Sequence, residues 1–70
     1  MEECEQYVID EATKLRKQHR LTQKQFGLIL DVSGSFVGNV ENKQSSAKYN
    51  LKHIVLLIKY FKLSPSYFFE

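Results

Sequence analysis

The chain has few side chains that could do chemistry beyond ordinary solvation. His19 and His53 could carry protons or ligate a metal, because imidazole titrates near neutral pH. They lie far apart in sequence, and neither has a cysteine or carboxylate at metal-ligand spacing, so both read as surface or helix-end histidines. Cys4 lies among Glu2, Glu3 and Glu5, whose charge disfavours a thiolate and argues against a nucleophile. As the single cysteine, it can form neither an internal disulfide nor a thiol pair for structural zinc. Tyr49, Tyr60 and Tyr67 interleave with Lys48, Lys59 and Lys62, an arrangement on which the bases of a single strand could stack. At helical spacing the same residues read as core edge and amphipathic cover. No nucleophile–base pair, metal set or phosphate-cradling loop is present, so the sequence gives no basis for an enzyme and calls for no cofactor.

The charged residues are distributed unevenly. Residues 1–13 carry Glu2, Glu3, Glu5, Asp10 and Glu11 with no lysine or arginine, which suits a solvated helix face near an N-terminus. All ten lysines and arginines fall between Lys14 and Lys62, opposed there by only Asp31 and Glu41. A cationic body points to an anionic partner, nucleic acid among the candidates. Lys52, Lys59 and Lys62 read more simply as the solvated side of a helix.

These residues must be positioned by a chain of 70 residues, enough for one domain spanning 1–70. With no disulfide available, stability rests on packing, which favours an economical all-helical fold. The longest aliphatic run is Ile54-Val55-Leu56-Leu57-Ile58, far short of the roughly 20 residues that span a bilayer. The N-terminus is acidic where a signal peptide is basic. A soluble chain in a reducing cytoplasm, with no membrane partner, is the expectation.

Cap signals divide the sequence into helices. The first is expected from about Glu3 to His19, burying Val8, Ala12 and Leu15. The second starts at Thr22, which with Gln25 makes a Thr-x-x-Gln capping box, and ends near Asp31. Ser33 caps a third, to about Asn42, with Val37 and Val40 inward. Phe36, Val37 and Val40 also suit a strand, and Gly38 costs a helix roughly 1 kcal/mol relative to alanine. A polar loop follows from Lys43 to Tyr49. Asn50 caps a fourth helix to about Phe61 whose apolar stripe is expected at Leu51, Ile54, Val55 and Ile58. Ser64-Pro65 predicts a short fifth helix, from which Tyr67, Phe68 and Phe69 fold back over the core.

Between Thr22 and Lys43, a capped helix, a tight Asp31-Val32-Ser33 turn and a second capped helix follow the logic of a helix-turn-helix unit. Gly27 allows the second helix to come close, and Val32 fills the angle between the two. Gln23-Lys24-Gln25-Phe26-Gly27, Val32-Ser33 and Val37-Gly38-Asn39-Val40-Glu41-Asn42 together resemble the helix-turn-helix domains of the phage repressor and Cro (XRE-like) family. Arg16 and the Leu63-Ser64-Pro65-Ser66 segment fall where that family has similar residues, so the resemblance covers about residues 8–69. It implies a compact five-helix bundle of the lambda-repressor-like type, with the motif at about residues 22–42, that binds duplex DNA and regulates transcription.

The resemblance also implies roles. The third helix would enter the major groove, with Gly34 at its start and Ser35, Gly38, Asn39 and Asn42 outward. Asn39 is the best base reader, since its amide can bond adenine at two points. Thr22 and Gln23, at the positive end of the second helix, match positions near phosphate. Lys43 and Lys48, with Gln44 between them, would hold the backbone from the following loop. Arg16 and Glu41 match a structural ion pair between the first and third helices. Phe36 stands where the family often has a small or polar residue, and either packs at the core edge or touches a thymine methyl. Asp31 and Lys43 replace frequent glycines. A reading surface so poor in long side chains implies weak or shape-assisted specificity.

On this basis the expected partner is double-stranded DNA, bound as a homodimer with Tyr67-Phe68-Phe69 as a candidate contact. Two alternatives remain. One is an antitoxin-type regulator that also binds a toxin, and the other is a protein-interaction module that keeps the fold without DNA binding.

Overall fold

The computed structural model describes residues 2–64 and 66–68, which form four helices and no strand: α1 (Glu2–Gln18), α2 (Gln23–Leu30), α3 (Gly34–Glu41) and α4 (Leu51–Phe61). Their starts follow from side chains that satisfy otherwise unpaired backbone N–H groups. The Thr22 hydroxyl accepts from the Gln25 amide at 3.0 Å, while the Thr22 N–H donates to Gln25 Oε1 at 2.8 Å. Ser33 Oγ accepts from the Phe36 amide at 3.0 Å. At α4 the Asn50 carboxamide oxygen accepts from the His53 N–H, and the Asn50 N–H donates to His53 Nδ1, both at 3.1 Å.

Three helices end alike. Arg20, Asp31 and Lys62 adopt left-handed backbone with φ of 55°, 60° and 55°. The next amide then reaches back to a carbonyl in the last turn: Leu21 to Arg16, Val32 to Gly27, Leu63 to Ile58. None of the three is glycine, so each turn carries a steric cost of roughly 1–2 kcal/mol that surrounding contacts must offset.

The core forms where the helices meet. Phe26 and Leu30 of α2, Val37 and Val40 of α3, and Ile54 and Leu57 of α4 close on Val8, Ile9, Ala12 and Leu15 of α1. Phe68 is buried with them and covers the far end of the cluster. Tyr67 is only partly buried, and Phe69 lies outside the described residues.

Two expectations are corrected. Among the described residues there are four helices rather than the five expected: after Ser64, residues 66–68 form a turn, with the Tyr67 amide on the Ser64 carbonyl at 2.9 Å. The Ser64 hydroxyl accepts from the Ser66 N–H at 3.4 Å, the kind of local bond that competes with helix. Burial of Phe68 is then reached in a single turn. The second correction concerns α4, whose inner face is His53, Ile54 and Leu57, while Leu51 and Val55 are 70% and 40% exposed. Leu57 is fully buried. At 100° per residue a helix cannot turn both Leu57 and the Leu51–Val55 pair inward.

Candidate nucleic-acid interface

The α2–α3 unit is set by contacts that leave little slack. A side chain at Gly27 would put its Cβ 2.7 Å from the Val32 carbonyl oxygen, so glycine is what lets the turn fold against α2. At Gly34 a Cβ would meet the Lys24 Cα at 2.9 Å. Backbone therefore lies on backbone at both points, and the angle between the two helices is fixed by sterics.

An ion-pair network holds the other end of α3. Arg16 donates from Nε to Glu41 Oε2 at 2.7 Å and from a terminal nitrogen to Glu41 Oε1 at 2.9 Å, a two-point bond between α1 and α3. Its other terminal nitrogen donates to the Leu21 carbonyl at 2.9 Å, tying in the α1–α2 connection. The Gln23 carboxamide donates to Glu41 Oε1 at 3.1 Å. Its oxygen lies 3.1 Å from the place where a Cβ on Gly38 would be. Gln23 is thus seated on α3, in the space that the missing side chain of Gly38 leaves free.

Around this frame Ser35, Asn39 and Asn42 are exposed, while Gly34 and Gly38 are partly covered by α2. Thr22 and Gln23 stand exposed at the start of α2, the positive end of its dipole. Gln23, Ser33, Gly34 and Ser35 line one shallow groove between the helices, with Lys24, Leu28 and Val32. Asn42 ends α3, and its Oδ1 accepts from the Gln44 amide at 3.0 Å, shaping the loop behind it. Lys43 and Lys48 in that loop are exposed, and neither forms an ion pair among the described residues.

Phe36 belongs to the core edge. Its ring lies 5.5 Å from His53 and 6.3 Å from Tyr49, centroid to centroid, within an aromatic cluster that joins α3 to α4. The ring is only partly buried there, so packing at the core edge does not decide against contact with a thymine methyl.

The same cluster narrows the reading of His53 as a surface or helix-end histidine. It is 7% exposed, so it does not lie at the surface, and it stands at the helix end, where it completes the cap of α4. Burial, reinforced by the neighbouring charge of Lys52, pushes its pKa below the usual histidine value. Tyr49 is also buried, and its hydroxyl finds no hydrogen-bond partner among the described residues. Burial pushes this phenol well above the usual tyrosine value; Glu41 adds to the shift and Arg16 opposes it. The sequence did carry a signal for His53. Asn50-Leu51-Lys52-His53 has capping-box spacing, with imidazole in place of the usual Glu or Gln. Gln23 as the partner of Glu41 had no local signal, since the two meet only once α2 and α3 have packed.

Two capped helices joined by a tight turn, the first seated on backbone of the second and the second presenting an open polar face, define a helix-turn-helix domain. Residues 13–68 match the helix-turn-helix family, and the chain belongs to it, in the XRE-type group of DNA-binding regulators. No curated protein and no solved structure matches the chain. Among the described residues no helix is long and apolar enough to cross a membrane, and no three His, Cys, Asp or Glu side chains gather as a metal site.

Proposed function

We propose that the chain regulates transcription by binding duplex DNA with α3 in the major groove and the start of α2 against the backbone. Asn39 and Ser35 would face base edges, with Gly34 and Gly38 beside them turned toward α2. Asn42 would lie at the rim. Thr22, Gln23, Lys43 and Lys48 would hold phosphates on either side. The observation that carries this reading is the seating of Gln23. Bonded to Glu41 and resting on Gly38, its side chain is held at the helix start rather than free in solvent.

One copy is too small to read two successive grooves. Its longest dimension is 27 Å, against roughly 34 Å for one turn of the duplex. A homodimer with one α3 per half-site fits that spacing. With so few long side chains on the face, specificity would be modest and would draw on DNA shape.

Fluorescence anisotropy of a labelled mixed-sequence duplex, titrated with protein at several salt concentrations, tests the reading. Binding should fall steeply with salt, and the doubly substituted Gln23→Ala, Lys43→Glu protein should bind more weakly with a shallower salt slope. Absence of binding at low salt by a folded protein would overturn it.

A protein partner is the second reading, favoured by apolar surface that continues from the edge of the α2–α3 groove at Leu28. Leu28 is 73% and Tyr60 61% exposed, beside a groove that they line with Leu21, Gln25 and Ile29. This would fit an antitoxin-type regulator or an interaction module. Co-purification with a small toxin protein, lost on Leu28→Glu, would favour the first.

A further inference from the structure

We propose that neutral His53 is a positioning residue for DNA binding: by accepting the Asn50 amide proton and packing on Phe36 it fixes α3 to the base of α4, and protonation releases that hold. The inference rests on the DNA-binding reading above, since it assigns the hold a role in presenting α3 and its following loop.

The geometry depends on the protonation state. Nδ1 accepts from the Asn50 N–H at 3.1 Å, so the neutral ring carries its proton on Nε2. A protonated imidazole has two donors and no acceptor, which sets Nδ1–H against the Asn50 N–H and opens half of the cap. The charge would also arise at the positive end of the α4 dipole, beside Lys52 on the same helix. The loop faces the ring with the Tyr49 phenol, at a centroid distance of 5.8 Å, and α3 faces it with Phe36, which bears no charge. Glu41, the carboxylate that acts on Tyr49 in this cluster, is engaged by Arg16 and Gln23. No acid among these groups rewards the cation.

The consequences reach the proposed interface from two sides. Asn50 ends the loop that carries Lys43 and Lys48, so loss of the cap frees the end of that segment. Phe36 sits in the first turns of α3, one residue from Ser35, so a shift of the His53 ring moves the face on which Ser35 and Asn39 stand. The expected pH dependence has a distinctive sign. Acidification ordinarily strengthens binding to a polyanion by adding positive charge to the protein. Release of the His53 hold predicts weakening instead.

Two measurements test this. In the free protein, NMR titration from about pH 7.5 to about pH 5 should show the His53 ring titrating below the usual histidine range, with the Asn50 amide and Phe36 signals moving at the same midpoint. In duplex anisotropy at constant ionic strength, affinity should fall about three- to tenfold over that range, as expected for one lost hydrogen bond. His53→Gln keeps a neutral acceptor, as Gln25 provides for α2, and should bind at about pH 7.5 while losing the fall. A His53→Gln protein with an undiminished fall would overturn the proposal. So would wild-type protein in which His53 titrates and neither Asn50 nor Phe36 responds, a result that needs no variant to fold. Absence of duplex binding at both pH values would overturn the DNA reading and this role with it. The coupled movement of Asn50 and Phe36 would in that case still mark the link between cap and helix.

Discussion

Helix α3 is held on two sides by different chemistry. Against α1 and α2 it is fixed by close backbone approach at Gly27 and Gly34 and by the Arg16–Glu41–Gln23 network. Against α4 it is fixed by the rings of Phe36, Tyr49 and His53, one of which also caps the neighbouring helix. The first joint is steric and multiply bonded, with its ionic partners 14% and 10% exposed. The second contains a hydroxyl, that of Tyr49, without a hydrogen-bond partner among the described residues, and an imidazole whose hydrogen bond depends on protonation. The angle of the helix-turn-helix is thereby set by backbone contact and an ion pair, while its attachment to α4 runs through ring contacts and a hydrogen bond to neutral imidazole.

The contrast can be broken most severely at the first joint. Glu41→Ala removes both bonds to Arg16 and the bond to Gln23, leaving a guanidinium only partly exposed and uncompensated. A loss of about 3 kcal/mol is expected, to be read from urea unfolding of the variant against the parent. Gly27→Ala should rank next, costing about 1–3 kcal/mol, because the added methyl meets backbone that cannot rotate away. Its unfolding midpoint is the readout, and a neutral effect would mean that the turn is looser than its geometry indicates.

At the second joint the effects are smaller and differ in kind. His53 is held below its usual pKa, so the unfolded chain binds its proton more readily than the folded one. The contribution to stability is fully present above about pH 6.5 and is lost as pH falls through that value toward the folded pKa. Melting temperature should therefore fall on acidification across this window, and His53→Gln should flatten the fall. Tyr49→Phe should have the smallest effect and the opposite sign. Removing a buried hydroxyl without a partner should leave stability unchanged or raise it by up to about 1 kcal/mol, measurable as a higher melting temperature. A clear loss would show that the hydroxyl is bonded in solution.

What the sequence revealed of the molecule follows the same division. The starts of α2, α3 and α4 were legible because Thr22, Ser33 and Asn50 act within a few residues of themselves. The inward positions of Val37 and Val40 followed from helical period and cap. Other features depend on contacts distant in sequence. The inner face of α4 is set by which side chains meet Phe36 and Tyr49, so Leu51 and Val55 looked like core while His53 read as a surface or helix-end residue with no sign of its burial. Arg20 and Lys62 gave no sign of left-handed turns, a role usually filled by glycine. Gly38 looked like a gap in a reading surface, whereas its missing side chain makes room for Gln23. The final turn was read as helix because Ser64-Pro65 suits a helix start, yet burial of Phe68 needs one turn only.

The proposed interface places duplex DNA across α3 and the start of α2. It is tested most directly by mapping amide chemical-shift changes in the protein as a short duplex is added at low salt. The largest changes should fall on Gln23, Ser35, Gly38, Asn39 and Lys43, with the outer faces of α1 and α4 unmoved. Changes centred on Leu28 and Tyr60, or none in a folded protein, would contradict it.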